Sequence, residues 1–530
     1  MTTHLLAIDV GTLSARAGLF DAAGALLATA AAPITLMRPA EHHATYRMDE
    51  IWAAVSQAAT ACLGKAPQAR ASVAAIAFDA TSSLYLQAEG EPPLDGGGDV
   101  IAWMDHRGEA EAAEIDATAH HFLRHVGGAV SPEMNLPKLL WLKRHRPSAF
   151  ARLTGARDLC DELARRATGI DRHSVCGLAC KWPYLPNAAE PWCEDLLGTL
   201  GLEGLTALGR LRERPGRVGE VHGPVSEAGA TALGVPAGIP VAIGLIDAEA
   251  GALGVLGRNF QAEMNQRLPM IGGTSTCYMP FASDERHIPG IWGPFKDAVF
   301  AGYWMHEAGQ SVSGAALDAV LAHHPASPGP PSAERHAETA TAILAILDQE
   351  GPAFGARRHV VPDWLGNRAP LGDGRVRALL TGIGEETSRR SFLEAYYAAA
   401  RALALQTRHI IEHFNGHGFA IDRLALAGGH LHNPLLRRLY RDASGVALVV
   451  SDAPEPVLRG TAMVAAVAAG LEPDLFAALA AMAPDERVEH ADPAWAQAHD
   501  DAYQIYRKLF AIRNEIEAMR IARLEEVGAN

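Results

Sequence analysis

The sequence predicts an α/β protein with two domains and a cleft between them. Its 530 residues exceed the length at which one hydrophobic core usually stops growing. Buried-strand patterns alternate with helical patterns, and an apolar strand followed by a Gly-Thr turn occurs at Gly11 and again at Gly273. We therefore expect a duplicated unit, with domains at residues 1–260 and 261–530.

The N-terminal domain is predicted to open with a meander of three strands. These strands occupy residues 5–10, 16–20 and 26–32. Further helices are predicted at residues 51–63, 106–119, 135–144, 158–168 and 495–526, and further strands at 73–78, 241–245 and 269–271. A polar stretch at residues 257–266 marks the expected boundary between the domains.

Composition favours a small, soluble partner. A formal net charge of −15 argues against a broad surface for nucleic acid or anionic membrane. The longest stretch of small apolar residues, 462–470, is too short to span a bilayer, and Asp9 interrupts the N-terminal apolar run. Six sparse cysteines suggest a reducing compartment, so a cytoplasmic location is expected. Cys176 and Cys180 lack the spacing of a zinc knuckle.

The first Gly-Thr turn has the chemistry of a phosphate site. Gly11, Thr12 and Ser14 offer backbone and hydroxyl donors, and Asp9 at the end of the preceding strand can hold Mg²⁺. An ordinary hairpin turn with a capping aspartate is the alternative interpretation.

The second turn, at residues 272–276, repeats the Gly-Thr-Ser-Thr chemistry without an acidic residue. Two hydroxyl-rich turns facing one cleft can hold the β- and γ-phosphates of a nucleotide from opposite sides. A structural hairpin remains equally compatible with this motif taken alone.

Asp247 follows a buried strand and precedes a helix rich in Gly and Ala. A carboxylate in that position is accessible and can accept the proton of a hydroxyl group as it attacks phosphorus. The alternative is that Asp247 only caps the helix.

A fourth motif, at residues 426–434, places Gly428 and Gly429 between a strand and a helix. The missing Cβ atoms allow a nucleoside to approach the backbone, and Asn433 can donate and accept hydrogen bonds. A routine strand-to-helix turn is the alternative. Neither a P-loop nor a Gly-x-Gly-x-x-Gly fingerprint is present, which disfavours those nucleotide folds.

Taken together and in this order, the motifs resemble the FGGY carbohydrate kinases of the actin-like ATPase superfamily over essentially the whole chain. Segments similar to the ribulokinase branch lie at residues 102–107, 131–134, 137–141, 180–182 and 307–311. The acid-rich sugar motif of the glycerol kinases is absent at residues 79–83. In the segment 364–370, which we expect to be a structural loop near the cleft, Ala369 stands where serine is frequent in the family.

The resemblance implies two actin-like (ribonuclease H-like) domains, ATP and Mg²⁺ as cofactors, and a role for each motif. Asp247 would be the general base and Asp9 would belong to the metal site. The implied ATP-binding residues are Gly11, Thr12, Arg16, Gly273, Thr274, Gln310, Gly428, Gly429 and Asn433. The implied sugar-binding residues are Trp103, Asp105, Lys181, Asp247 and Glu307. Without the resemblance, Trp103 could be a core residue, and Lys181 and Glu307 could be solvated surface charges.

The expected activity is ATP-dependent phosphorylation of a free ketopentose, with D-ribulose going to D-ribulose 5-phosphate as first choice. L-ribulose, D-xylulose and other polyols or ketoses remain alternatives, because a few hydrogen bonds decide pocket specificity. A non-catalytic actin-like protein that binds nucleotide is the contrasting class. A homodimer is a prior expectation only.

Overall fold

The computed structural model describes residues 3–385 and 387–528. The outermost positions of the two predicted domains, residues 1, 2, 529 and 530, lie outside the described residues. Within the described part of the chain, no helix combines the length and apolar character needed to cross a membrane. We keep residue 260 as a proposed boundary and call the two parts the N-terminal and C-terminal halves.

The strands fall into two groups along the chain. Those of the N-terminal half are β1 His4–Val10, β2 Ser14–Asp21, β3 Leu26–Pro33, β4 Thr45–Tyr46, β5 Val73–Ala80, β6 Leu84–Ala88, β7 Val100–Ile101, β8 Leu153–Asp158, β9 Val221–Pro224, β10 Pro240–Ala242 and β11 Leu245–Ile246. Those of the C-terminal half are β12 Arg267–Gly272, β13 Thr276–Tyr278, β14 Phe281–Ala282, β15 Trp292–Lys296, β16 Trp304–Gln310, β17 His359–Val361, β18 Leu379–Thr381, β19 Arg423–Gly428, β20 Ala447–Val450 and β21 Arg487–Glu489.

The α-helices alternate with these strands. Those of the N-terminal half are α1 Met48–Lys65, α2 Glu109–Ala117, α3 Asn135–His145, α4 Pro147–Phe150, α5 Leu159–Thr168, α6 Val175–Lys181, α7 Glu194–Thr199, α8 Glu227–Leu233 and α9 Asp247–Leu253, with α10 Phe260–Glu263 at the boundary. Those of the C-terminal half are α11 Gly314–His323, α12 Ala333–Glu350, α13 Arg389–Asn415, α14 Pro434–Ala443, α15 Pro456–Ala468, α16 Leu475–Met482 and α17 Pro493–Gly528.

Each half contains a large mixed sheet, and the two sheets share one strand order. The first runs β3-β2-β1-β5-β10-β9, and the second contains β16-β13-β12-β19-β20-β21 in the same sequence of neighbours. In both, the central strand is antiparallel to the hairpin strand beside it and parallel to the next strand on its other side. The duplication predicted from the two Gly-Thr turns is therefore confirmed at the level of topology.

Helices α9 and α15 lie in close contact between the two sheets. A Cβ atom at Gly460 would lie 1.9 Å from the carbonyl oxygen of Ala250, so only glycine permits this approach. Both helices join a core cluster that also contains Leu5 of β1 and Phe281 of β14. This packing fixes the carboxyl ends of the central strands of both sheets relative to each other.

Most predicted elements are confirmed, including the opening meander and the long terminal helix. The helix predicted at residues 106–119 begins only at Glu109. The strand predicted at residues 241–245 is wrong as one element, because it divides into β10 and β11. The backbone of Ile243 leaves the sheet there and instead bonds to Gly219 and Glu220.

Candidate functional site

Both Gly-Thr turns contain an internal hydrogen bond from the glycine amide, although the first has four residues between its paired strand ends and the second has three. The amide of Gly11 donates to the carbonyl of Ser14 at 3.0 Å, and that of Gly273 donates to Ser275 at 2.8 Å. A Cβ atom at either glycine would meet only that same carbonyl oxygen, at 3.8 and 3.7 Å. The space above both turns is therefore open to a ligand. Thr274 in the second turn is exposed.

Asp9 lies near the end of β1 and forms an ion pair with Arg16. Its side chain is 1% exposed, and Arg16, its register partner on β2, donates to Oδ2 from Nε at 2.7 Å and also from Nη2. Nη1 of Arg16 reaches Glu455 at 2.9 Å. The predicted metal and phosphate residues of the first turn are thus joined in one ion pair that extends to the C-terminal half.

Asp79 lies beside Asp9 at the end of the neighbouring strand β5. Burial, followed by the negative charge of Asp9, raises the pKa of Asp79 well above its ordinary value. Thr461 donates a hydrogen bond to Oδ2, while Oδ1 has no hydrogen-bond partner among the described residues. The sequence motifs did not identify Asp79 as part of the site, although Asp79 directly follows the predicted strand at residues 73–78.

Asp247 begins α9, directly after β11, and β11 pairs with the end of β5. Its Oδ1 accepts a hydrogen bond from the amide of Ala248 at 2.8 Å. Burial, followed by the charge of Asp9, raises the pKa of Asp247 to about 7. A carboxylate with this pKa is matched to proton transfer near neutral pH.

Lys181 and Glu307 approach each other across the two halves. Their Nζ and Oε2 atoms are 3.6 Å apart, and both side chains are nearly buried. Burial alone would lower the pKa of Lys181, but Glu307 and then Glu249 raise it above its ordinary value. Burial and Glu307 raise the pKa of Glu249 to about 8. These groups form a compact polar cluster, and Nζ also lies 5.1 Å from the centre of the Trp292 ring.

Arg368 and Glu133 form a second contact between the halves. Nη2 of Arg368 lies 2.9 and 3.3 Å from the two carboxylate oxygens of Glu133. Burial opposes ionisation of Glu133, but Arg368 and His106 outweigh it and hold the pKa of this carboxyl at about 2. The guanidinium also lies 5.3 Å from the centre of the Trp292 ring, the same ring that Lys181 approaches. Both residues lie in segments that carried the resemblance, but neither was given a role.

Trp103 meets the first Gly-Thr turn. Its indole Nε1 donates to the hydroxyl of Thr12 at 3.1 Å, and the hydroxyl of Tyr46 donates to the carbonyl of Thr12 at 3.0 Å. Trp103 is partly exposed. A predicted sugar-pocket residue and a predicted phosphate residue are therefore neighbours.

Asp105 does not offer its carboxylate to the cleft, contrary to our expectation. The side chain is fully buried, and Arg107 donates to Oδ1 at 2.8 Å and to Oδ2 at 2.7 Å. The backbone amide of Ala44 also donates to Oδ2. With both oxygens engaged inside the protein, Asp105 can position the turn that carries Trp103, but direct contact with a sugar requires breaking these bonds.

Lys138 stabilises the turn that carries Trp103 through hydrogen bonds to its backbone. Its fully buried ammonium group donates to the carbonyls of Ala102, Trp103 and Glu133 at 3.0, 3.2 and 2.9 Å. Burial lowers the pKa of Lys138 to about 7. This single side chain links the Trp103 turn to the loop that presents Glu133.

The predicted nucleoside turn lies beside the second phosphate turn. Gly428 and Gly272 are register partners on β19 and β12, and Gly428 has a φ of 82°. A Cβ atom at Gly428 would lie 2.4 Å from the carbonyl oxygen of Gly272, whereas one at Gly429 would meet it only at 3.9 Å. Nε2 of His430 hydrogen-bonds to the carbonyl of Gly273 at 2.9 Å and so joins the two turns.

Two predicted ATP-binding side chains are engaged in internal bonds. Gln310 is 1% exposed and donates from Nε2 to the carbonyl of Leu403 at 2.9 Å. Asn433 caps α14, because its Oδ1 accepts from the amides of Leu435 and Leu436 at 3.1 and 3.2 Å. To contact a nucleotide, Nε2 of Gln310 or Oδ1 of Asn433 would have to give up these internal hydrogen bonds.

Two family models together match most of the chain. The N-terminal domain model of the FGGY family of carbohydrate kinases matches residues 4–254, and the C-terminal domain model matches residues 268–469. A human FGGY carbohydrate kinase domain-containing protein is 33% identical, over 97% of this chain and 98% of that protein. A D-ribulokinase of Saccharomyces cerevisiae is 31% identical, over 84% of this chain and 68% of that protein.

Solved structures of sugar kinases share the fold. Xylulose kinase from Rhodospirillum rubrum is 21% identical with a TM-score of 0.80, covering 97% of this chain and 100% of that one. Gluconate kinase from Lactobacillus acidophilus is 17% identical with a TM-score of 0.81, covering 98% of this chain and 99% of that one. The predicted α/β fold with two actin-like domains is thereby confirmed.

Proposed function

This chain belongs to the FGGY family of carbohydrate kinases, and we propose that it phosphorylates the terminal hydroxyl of D-ribulose to give D-ribulose 5-phosphate. It is an enzyme, a carbohydrate kinase, and kinases of this family use ATP as the phosphate donor. The contrasting possibility of a non-catalytic nucleotide-binding protein is set aside. L-ribulose, D-xylulose and other polyols or ketoses are the alternative acceptors.

The chemical part of the proposal depends on Asp247, a carboxyl at a strand end whose pKa is raised to about 7. A sugar hydroxyl is a poor nucleophile until a base accepts its proton. The charge of Lys181, which pairs with Glu307, acts on the carboxyl of Asp247. A sugar held by that pair would therefore have a hydroxyl within the neighbourhood of the base.

In the proposed step, the hydroxyl proton passes to a carboxylate oxygen of Asp247 as the hydroxyl oxygen attacks the γ-phosphorus in line. The bond between the γ-phosphorus and the bridging oxygen breaks, and that oxygen leaves on ADP. Because the transferred group is already highly charged, positioning and electrostatic stabilisation supply most of the catalysis.

The two Gly-Thr turns would hold the polyphosphate. Gly11 and Gly273 leave their turns open to close approach, and Thr12 and Thr274 add hydroxyl groups. Arg16 adds a guanidinium that already bridges Asp9 and Glu455. Gly429 would allow the adenosine to lie against the backbone next to the second turn, while Gly428 permits the close approach of the Gly272 carbonyl that shapes this turn.

The residues at the ends of β1 and β5 fit Mg²⁺. They offer carboxylate oxygens, the ligand type that this hard cation prefers, and Oδ1 of buried Asp79 has no other partner among the described residues. Asp9 and Asp79 would hold the ion directly or through water. When bound, Mg²⁺ neutralises phosphate charge.

Lys181, Glu307 and Trp103 would bind the sugar, with Asp105 positioning the Trp103 turn. The choice of D-ribulose is supported by the names of relatives, because the yeast protein is a D-ribulokinase and a Bacillus licheniformis protein that is 29% identical is a ribulokinase. The xylulose and gluconate kinase structures support only the fold. As part of the proposal, the enzyme is cytoplasmic, consistent with six free cysteines; a homodimer stays a prediction.

A coupled assay of ADP release across free sugars tests the proposal. We expect kcat/KM to be highest for D-ribulose, followed by L-ribulose or D-xylulose, and to be far lower for glycerol and gluconate. The product should carry phosphate on the terminal carbon by NMR. A higher kcat/KM for another acceptor would replace D-ribulose without affecting the kinase assignment.

A further inference from the structure

His125, Glu285 and His287 form a cluster of metal-ligand side chains outside the proposed cleft. One ligand atom from each residue lies within 4.8 Å of the other two. His125 ends a short 3₁₀ helix of the N-terminal half, whereas Glu285 and His287 belong to the C-terminal half. The two imidazole rings are 4.7 Å apart at their centres and nearly perpendicular.

His125 forms the buried side of this cluster. It is 4% exposed. Nδ1 has no hydrogen-bond partner among the described residues. When the ring proton is on Nε2, Nδ1 offers an unused lone pair inside the protein.

His287 forms the outer side with Glu285, and each of these side chains is about one third exposed. Nδ1 of His287 lies 3.2 Å from the carbonyl of Arg124, and Nε2 lies 2.9 Å from Oε1 of Glu285. Because both neighbours are acceptors, a neutral ring can satisfy only one of them. When the ring proton is on Nδ1 and is donated to Arg124, the Nε2 lone pair faces the carboxylate, and a cation fits between the two acceptors.

We propose that His125, Glu285 and His287 bind Zn²⁺ at the contact between the two halves. Two imidazole nitrogens and one carboxylate are a zinc ligand set that leaves a fourth position for water. In His287 the other ring nitrogen, Nδ1, lies 3.2 Å from the carbonyl of Arg124, which is the outer arrangement typical of metal-binding histidine. Mg²⁺ is a poor candidate for this site because it requires a shell of oxygen ligands.

The ligand atoms need only small movements to close on the ion. Nitrogen and oxygen ligands lie about 2.0–2.2 Å from zinc, which separates neighbouring ligand atoms by roughly 3.4 Å. The partly exposed Glu285 and His287 have room to rotate toward buried His125. The cluster is also accessible from solvent through these two residues, so an entry path exists.

At this position a bound ion would stabilise a contact between the two halves. Residues next to the ligands already join the halves, since the amide of Gly290 donates to the carbonyl of Gly127 at 2.9 Å. The same contact continues to Trp292, whose ring neighbours Lys181 and Arg368 in the proposed sugar pocket. Zinc would therefore brace one interdomain contact that leads to the substrate site.

Calorimetric titration of metal-free, full-length protein with Zn²⁺ alone tests the proposal, using the partly exposed positions for substitution. We expect His287→Ala and Glu285→Gln each to weaken one binding equivalent by at least about tenfold. His323→Ala, at the exposed end of α11, is the matched control and should bind as wild type. Zn²⁺ should also raise the Tm of wild type more than that of His287→Ala.

Two further groups have ligand atoms in mutual range, namely His120, His121 and Cys193, and Cys176, Cys180 and Glu249. The decisive quantity is therefore the difference between wild type and variant rather than total zinc. Equal affinity and stoichiometry in wild type, His287→Ala and Glu285→Gln would overturn the proposal. Equal competition by Mg²⁺ for the same equivalent would also overturn it. Sugar phosphorylation is independent of either result.

Discussion

The two sheets have the same strand order but carry opposite chemistry where their central strands end. In the N-terminal half, the residue two positions before the Gly-Thr turn is Asp9, and its register partner on β5 is Asp79. In the C-terminal half, the equivalent pair is Ile271 and Ala427. The next pair is Gly272 and Gly428 in the second half.

This difference shows how one scaffold supplies two functions. Burial, followed by the charge of Asp9, raises the pKa of Asp247. The acids of the first sheet also offer the carboxylate oxygens that the proposed Mg²⁺ site requires. The glycines of the second sheet permit close internal packing, since a Cβ at Gly272 would lie 2.5 Å from Nδ1 of His430 and one at Gly428 would lie 2.4 Å from the Gly272 carbonyl. In the proposed enzyme both strand ends contribute to one site, and the different residue types give them different roles.

Replacing the proposed base, Asp247, should have the largest effect on kcat. Asp247→Asn preserves the side-chain size and can still accept from the amide of Ala248, but it cannot accept a proton. We expect kcat to fall by about 10²- to 10⁴-fold with nucleotide binding retained. Asp474→Asn, a cap of α16, is the control and should keep wild-type kcat. A kcat within about tenfold of wild type for Asp247→Asn would exclude the general-base role.

The pH dependence of kcat/KM tests the acidic end in the unmodified enzyme. Because the base must be unprotonated and the pKa of Asp247 is about 7, kcat/KM should decline as pH falls below about 7. The slope should approach about tenfold per pH unit, measured with D-ribulose at saturating ATP. Asp9 and Lys181 also face this carboxyl. A profile that stays flat down to pH 5 would contradict the raised pKa.

Gly273→Ala sharpens the comparison at the glycine end. The added Cβ would meet only the carbonyl of Ser275 at 3.7 Å, so the fold should be kept. If phosphate approaches this backbone, losing one charged hydrogen bond of about 1.5 kcal/mol should raise the KM for ATP about tenfold. Gly64→Ala in α1, where a Cβ meets nothing within 4 Å, is the control. An unchanged KM for ATP would place the phosphates elsewhere.

The smallest expected effect is on stability. The pKa of Asp247 is higher in the folded protein than in the unfolded chain, so the stability contributed by its proton is lost as pH rises toward about 7. Asp247→Asn avoids this loss. Its Tm at pH 8 should exceed that of wild type by about 1–2 °C, with a smaller difference at pH 5. A lower Tm at pH 8 would indicate that the charged carboxylate is stabilising.

Local patterns predicted the strands and turns well, because burial and turn formation depend on neighbouring residues. They also located Asp9, Asp247 and the two Gly-Thr turns, since a carboxylate or glycine at a strand end is visible in sequence. Asp105 was expected in the pocket, yet Arg107 and Ala44 engage its oxygens. Partners of that kind are not encoded in the spacing of a motif.

The sequence by itself determined the family, the duplicated unit and the identity of the proposed base, because each depends on residues that are close together along the chain. Only the tertiary structure decided that Asp79 joins Asp9, that Arg368 pairs with Glu133, and that His125 meets Glu285 and His287. The physical reason is that pKa values and ligand sets depend on burial and on charges brought from distant positions, and folding alone sets those distances.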